Sequence, residues 1–111
     1  MSRVFVTSNR MRKDFATGTL KPIVDLRPAE QYGTLNAVFD HEMEPTNLDD
    51  VRRAAERVKD FDPDVDYVLP NGSPLATLAT GMILRDKGVE SVQTLVWDKI
   101  DMKYQLGVIE L

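Results

Sequence analysis

The sequence predicts an α/β fold: a mixed sheet of about six strands, with a β-hairpin near each end of the chain and two main helices packed on it. Three observations lead there. Across residues 34–97, short runs rich in β-branched and aromatic residues alternate with two segments of helical periodicity. A strand–helix–strand–helix–strand order requires right-handed crossovers into parallel neighbours. On either side of that region, pairs of strand-like runs lie close enough in sequence to close as hairpins. Finally, 111 residues with 42% hydrophobic and 29% charged composition suit one core and one domain over residues 1–111, and argue against both a disordered and a fibrous chain.

Arg3 to Ser8 (RVFVTS) and Leu20 to Leu26 (LKPIVDL) read as strands, with Pro22 tolerable at an edge. Asp14, Thr17 and Gly18 between them supply turn chemistry, which predicts a hairpin of these two runs with a long, basic, polar arm. Arg27 to Tyr32 reads as a short helix with proline at its first position and Gly33 ending it. Thr34 to Asp40 (TLNAVFD) is a third strand, and the non-periodic segment His41 to Thr46 is a loop. Asn47 then caps a helix, with Asp50 three residues on. Leu48, Val51, Ala55 and Val58 recur at steps of three and four, so one face of that helix is apolar.

Tyr67-Val68-Leu69 is a short buried strand, and Asn71-Gly72 turns the chain. Ser73 is a natural cap and Pro74 the first residue of a helix that runs to about Lys87, with Gly88 just beyond. Leu75, Ala76, Leu78, Ala79, Met82 and Ile83 cover a wide apolar arc, which predicts a more deeply buried helix than the preceding one. Ser91 to Trp97 and Tyr104 to Leu111 form the closing hairpin, with its turn at Lys99 to Met102.

Charge and composition exclude several functions. The chain has no cysteine and one histidine, His41, so thiolate metal sites, multi-histidine sites and cysteine nucleophiles are absent, and neither a metal nor another cofactor is expected. Lacking a membrane-length apolar run or a signal-like N-terminus, the protein is expected in the cytoplasm and away from membranes. Residues 1–30 carry six Lys/Arg against three Asp/Glu, whereas residues 31–66 carry four against ten. With 14 positive and 18 negative residues overall and no interleaved basic and aromatic stripe, the chain is a poor candidate for nucleic acid, where phosphate contacts dominate affinity.

The chemistry-bearing residues gather in two loops at the carboxyl ends of the expected parallel strands, where ligands collect in open α/β sheets. One contains Asp40 and His41, followed by Glu42 and Glu44; the other contains Asn71, Gly72 and Ser73, with Thr77 one turn into the helix. A helix N-terminus at Ser73 to Ala76 offers backbone donors to a small anionic ligand, although the loop lacks the P-loop lysine and the three-glycine dinucleotide pattern, and Pro74 removes a donor. An ordinary capped turn accounts for the same residues, as a solvated loop does for the acidic segment. His41 and Ser73 would form a base and a nucleophile only if brought together, and NGSPL is not a nucleophile elbow. Arg10 and Arg12 in the basic arm, and Trp97 and Tyr104 across the last turn, are the candidate partner contacts. The acidic stretch Asp60 to Asp66 reads as a solvated connection or a surface for a basic partner.

Three stretches, MRKDFATGTLKPIVDLRPAEQYG, DYVLPNGSPLATLATGMILRDKG and LVWDKIDMKYQLGVIEL, together resemble, in order and spacing, small accessory proteins of tailed bacteriophages and prophages. They cover most of the chain outside residues 34–64. The resemblance implies an accessory protein that binds a host protein or a small signalling molecule, and it transfers no catalytic residue. The expected function is therefore a non-enzymatic binding module for a host protein or for a small anionic ligand such as a nucleotide. The alternatives are a small nucleotide- or phosphate-ester-handling enzyme at residues 71–74 with His41 as acid or base, and, less in keeping with the sequence, a structural virion component. Edge strands of the two hairpins also allow pairing between copies of the chain.

Overall fold

Arg3–Ser8 (β1) is buried along nearly its whole length, on both of the faces to which successive side chains point. A strand buried on both faces belongs in the middle of a parallel sheet with layers above and below. That is its place in the computed structural model, which describes residues 2–9, 11–22 and 25–111. β1 pairs in parallel with β4 (Thr34–Phe39) on one side, Val4 opposite Leu35, and with β5 (Tyr67–Leu69) on the other, Val4 opposite Tyr67. β5 pairs in parallel with β6 (Ser91–Asp98), which pairs antiparallel with β7 (Lys103–Glu110), Leu95 opposite Leu106. The sheet order is β4-β1-β5-β6-β7.

The α/β class, the mixed sheet and the C-terminal hairpin are thus as the sequence predicts, but the main sheet has five strands rather than six. The first hairpin is also rearranged. Leu20–Pro22 (β3) pairs antiparallel with Met11–Lys13 (β2), not with β1, and the two form a separate ribbon. The expected turn chemistry is in place: the Asp14 carboxylate accepts from Ala16 N–H, and its carbonyl accepts from Gly18 N–H, with Gly18 at φ 72°. The expected strand through Leu26 crosses Ile23 and Val24, which lie outside the described residues.

Handedness then fixes the layers. From β1 the chain steps one way to β4, and from β4 it steps back past β1 to β5 and on to β6. Right-handed crossovers in opposite directions place their connections on opposite faces. The 3-10 turn Arg27–Tyr32 covers one face, where Ala29 packs with Val4, Val6, Leu69, Leu95 and Tyr104. Helices α1 (Leu48–Arg57) and α2 (Pro74–Asp86) cover the other, around Phe5, Val38, Ala54, Val68, Ala76 and Leu84.

Both helices start where their caps predict. Asn47 accepts from Asp50 N–H at 3.1 Å and Ser73 from Ala76 N–H at 3.4 Å. Their buried faces differ from the expected ones. In α1 the core side is Val51, Ala54, Ala55 and Val58, whereas Leu48 stands to the side of this stripe and is exposed. In α2, Ala76, Thr80, Ile83 and Leu84 face the sheet, and Leu75, Leu78 and Met82 project from the opposite side, exposed to solvent. An apolar arc this wide cannot all touch one sheet. The side that does carries small Ala76 and Thr80 in its first turns, which lets that end of α2 lie close, and Ile83 and Leu84 toward its end.

Candidate functional site

The order in which strands are added to the sheet reverses between parallel β1 and β5, and the crevice at the carboxyl ends of these strands is the place where open α/β folds bind ligands. Here it is stitched shut by hydrogen bonds. Thr7, fully buried at the end of β1, donates from Oγ1 to the Asn71 carbonyl at 3.0 Å and accepts from the Asn71 N–H at 2.9 Å. The same hydroxyl lies 3.0 Å from that of Thr77 on α2, and Asn71 Nδ2 donates to the Ser8 carbonyl at 3.0 Å. Gly72 follows at φ 71°, where a side chain is disfavoured. Asn71, Gly72 and Thr77, proposed from sequence as ligand contacts, therefore hold the loop against the sheet. Sequence reading missed Thr7, whose one signal is a hydroxyl residue toward the end of an otherwise apolar strand.

Two cavities flank this stitched loop. One, of about 330 Å³, is lined by Ser8, Asp40, His41, Met43, Glu44 and Ser73, so the structure brings Ser73 of one loop to Asp40 and His41 of the other, whereas Asn71, Gly72 and Thr77 are not part of its lining. Its chemistry is acidic. Asp40 pairs with Arg57 at 2.9 Å and accepts from Glu42 N–H; burial alone would raise its carboxyl, but the Arg57 guanidinium and the Glu42 N–H outweigh it and hold the pKa below the usual range. His41 Nε2 lies 3.7 Å from Glu42 Oε1. At the start of α2, Ala76 N–H is taken by Ser73 Oγ, Thr77 N–H by the Ser73 carbonyl, and Pro74 has none to offer. An anion entering here would meet two carboxylates and few helix donors.

The second cavity, of about 450 Å³, lies on the face covered by the 3-10 turn and is lined by Leu69, Asn71, Leu95, Trp97, Tyr104 and Asp25. Trp97 and Tyr104, facing one another across the β6–β7 ladder, meet edge to face with ring centroids 5.0 Å apart. Tyr104 is buried, with its carbonyl accepting from the Tyr32 hydroxyl at 3.2 Å, while Trp97 is 38% exposed. Asp25 sits at the rim with both carboxylate oxygens engaged by Arg27, whose hydrogen bonds lower its pKa to about 2. Burial, with the Asp25 charge adding to it, pushes the Tyr104 phenol up. The cavity thus joins apolar and aromatic walls to a carboxylate held in an ion pair with Arg27 and to a phenol.

Sequence reading had placed Asp25 inside a strand and saw no role for it. Trp97 and Tyr104, considered as partner contacts, share this cavity with Asn71, considered as a ligand contact. Of the basic arm, Arg12 lies in β2 opposite Lys21, and Arg10 falls outside the described residues. Among the described residues no helix is long and apolar enough to cross a membrane, and no group of three histidine or acidic residues is placed to hold a metal ion.

No curated protein and no solved structure matches the chain. A family model does, over residues 2–111, and on that match the chain belongs to the Phage Pam3 gp32-like protein family, a phage-type protein as its three quoted stretches suggested.

Proposed function

We propose that this phage-family chain is a non-enzymatic binding module for a small molecule with a planar ring, a nucleotide being the leading case, seated in the cavity of Asp25, Asn71, Trp97 and Tyr104. The observation that supports it is the partly exposed Trp97 ring, braced edge-on by buried Tyr104 inside a cavity of about 450 Å³ at the carboxyl edge of the sheet. A mostly apolar recess with a few convergent polar groups is the usual form of a small-molecule site. Stacking a base on such a ring contributes about 1–3 kcal/mol and needs no particular sequence around it. The Asp25 carboxylate, paired with Arg27, offers its remaining acceptor capacity to ring N–H donors at the rim.

The enzymatic alternative has less support. Ser73 serves as the cap of α2, Asn71 Nδ2 is committed to the Ser8 carbonyl, and Thr77 to Thr7. A host-protein partner draws on a different observation, the exposed Leu75, Leu78 and Met82 of α2.

Trp97 is the only tryptophan, so the tryptophan fluorescence comes from the wall of this cavity. Titration with adenosine, guanosine and their monophosphates should give saturable quenching that Tyr104→Ala weakens at least about tenfold, the equivalent of roughly 1.4 kcal/mol. Ser73→Ala should leave it unchanged. A flat response from folded protein with all of these probes would refute the reading, and quenching lost in Ser73→Ala but kept in Tyr104→Ala would move the ligand to the acidic cavity.

A further inference from the structure

The sheet has two edges, and they are finished differently. At β4, Arg57 reaches over from α1 and donates to the carbonyls of Ala37 and Val38 at 3.3 and 3.4 Å, an edge blunted by a cation. At β7 the side chains instead turn apolar and exposed: Leu106 at 57%, Val108 at 70% and Ile109 at 50%. The direction of its backbone groups can be read from the ladder. Leu111 N–H donates to the Glu90 carbonyl, and the register places these two residues opposite one another, so they form a hydrogen-bonded pair. Alternation then points the N–H and C=O groups of Tyr104, Leu106, Val108 and Glu110 away from β6. The Tyr104 carbonyl already accepts from Tyr32, which leaves Leu106 to Glu110 as the open stretch among the described residues.

We infer that this stretch is the interface of a homodimer, in which β7 pairs antiparallel with β7 of a second copy about a two-fold axis at Val108. A perpendicular two-fold through an antiparallel pair sets a residue against itself, so Val108 meets Val108 and Leu106 meets Glu110 of the other copy. Every outward backbone group from Leu106 to Glu110 then gains a partner. The strand pair alone is small beside the roughly 800 Å² per partner of a standard interface. The remainder lies next to it, where α2 and β7 enclose an open apolar groove of about 760 Å³ lined by Leu78, Met82, Ile109 and Leu111.

Charge selects a second copy as the occupant. The chain carries a net charge of −4, so two copies repel over most of their surfaces. Yet Pro74 to Leu84 of α2 and Tyr104 to Ile109 of β7 contain no charged residue, and the two charged residues that line the groove, Arg85 and Asp86, are of opposite sign, so this side has little net charge and a like-charged molecule can approach it. Antiparallel pairing also separates the two Glu110 carboxylates by four residues, about 13 Å along the strand. Parallel pairing in register would set them side by side.

The inference is independent of the ligand reading and is tested by mass. Sedimentation or light scattering of the purified chain over micromolar concentrations should show twice the chain mass. Val108→Pro removes an outward N–H without touching the β6 ladder, and Val108→Lys places a charge on the axis. Each should raise the dissociation constant at least about tenfold while the far-ultraviolet circular dichroism stays native. If Val108→Pro unfolds, Val108→Lys still decides. A single-chain mass at every concentration, a dimer indifferent to Val108→Lys, or a monomer that pairs only with a different protein would each overturn the inference.

Discussion

Asp66 is 1% exposed and charged, and three donors surround it: Arg3 N–H at 3.0 Å, the Arg3 guanidinium at 2.9 Å and Asp62 N–H at 2.9 Å. Burial alone would raise its pKa, but the Asp62 N–H and Arg3 outweigh that and lower it. Asp66→Asn removes the charge while keeping the shape, and because Arg3 is one-third exposed the stranded guanidinium stays partly hydrated. The expected loss is about 2–3 kcal/mol, below the 3–5 of a fully buried pair, measured by urea unfolding. The pH dependence has a definite sign. A carboxylate whose pKa is depressed by folding stabilises the native state above its ordinary value near 4, and this contribution is lost as pH falls through and below that value. The wild type should therefore lose more stability on acidification than Asp66→Asn. At Gly72, held at φ 71°, alanine should cost roughly 1 kcal/mol with little change in Trp97 quenching. The Gly72 turn was legible in the sequence, but the Asp66 role was not: Asp66 closes a run of acidic residues that otherwise reads as solvated surface, and its partner lies 63 residues away.

At the scale of elements, local chemistry told most. The Asn47 and Ser73 caps, Pro74 and the positive-φ Gly88 located the helices to within a residue or two, because caps and turns are set by near neighbours. Two non-local choices were hidden. β1 was paired with the wrong strand, although its run of Val4, Phe5, Val6 and Thr7 has the near-continuous apolar character of a strand buried on both faces. The side of α2 that meets the sheet was equally hidden, since a helix apolar around most of its circumference carries no periodic mark of its buried side. Arg57 shows a third non-local contact, and it gives a prediction. Arg57→Ala loses its bonds to the β4 carbonyls and to Asp40, at a cost of about 1 kcal/mol for so exposed a group. The Asp40 pKa should rise toward the ordinary carboxylate value, followed by NMR titration, and the unblunted β4 edge should make the variant more prone to aggregate.

For the molecule as a whole, the packing is uneven, and opening should follow it. β1 and β5 pair on both sides, lie between two cores and are tied together by Thr7 and Asn71. Among the described residues, the β2–β3 ribbon pairs only with itself. A two-stranded ribbon is marginal alone, so it should open at little free-energy cost while the centre opens only with global unfolding. Native-state hydrogen exchange should thus find the hydrogen-bonded amides of β1 and β5 exchanging at the global rate, and those of Met11–Lys13 and Leu20 faster by orders of magnitude. Thr7→Val keeps the volume near Thr77 but deletes the stitch across the crevice, leaving the Asn71 backbone groups unpaired. Its effect separates two accounts of the carboxyl edge. If the stitch only holds the loop, protection falls at residues 70–73 and Trp97 quenching persists. If it positions the cavity wall at Asn71, quenching weakens in parallel with the loss of protection.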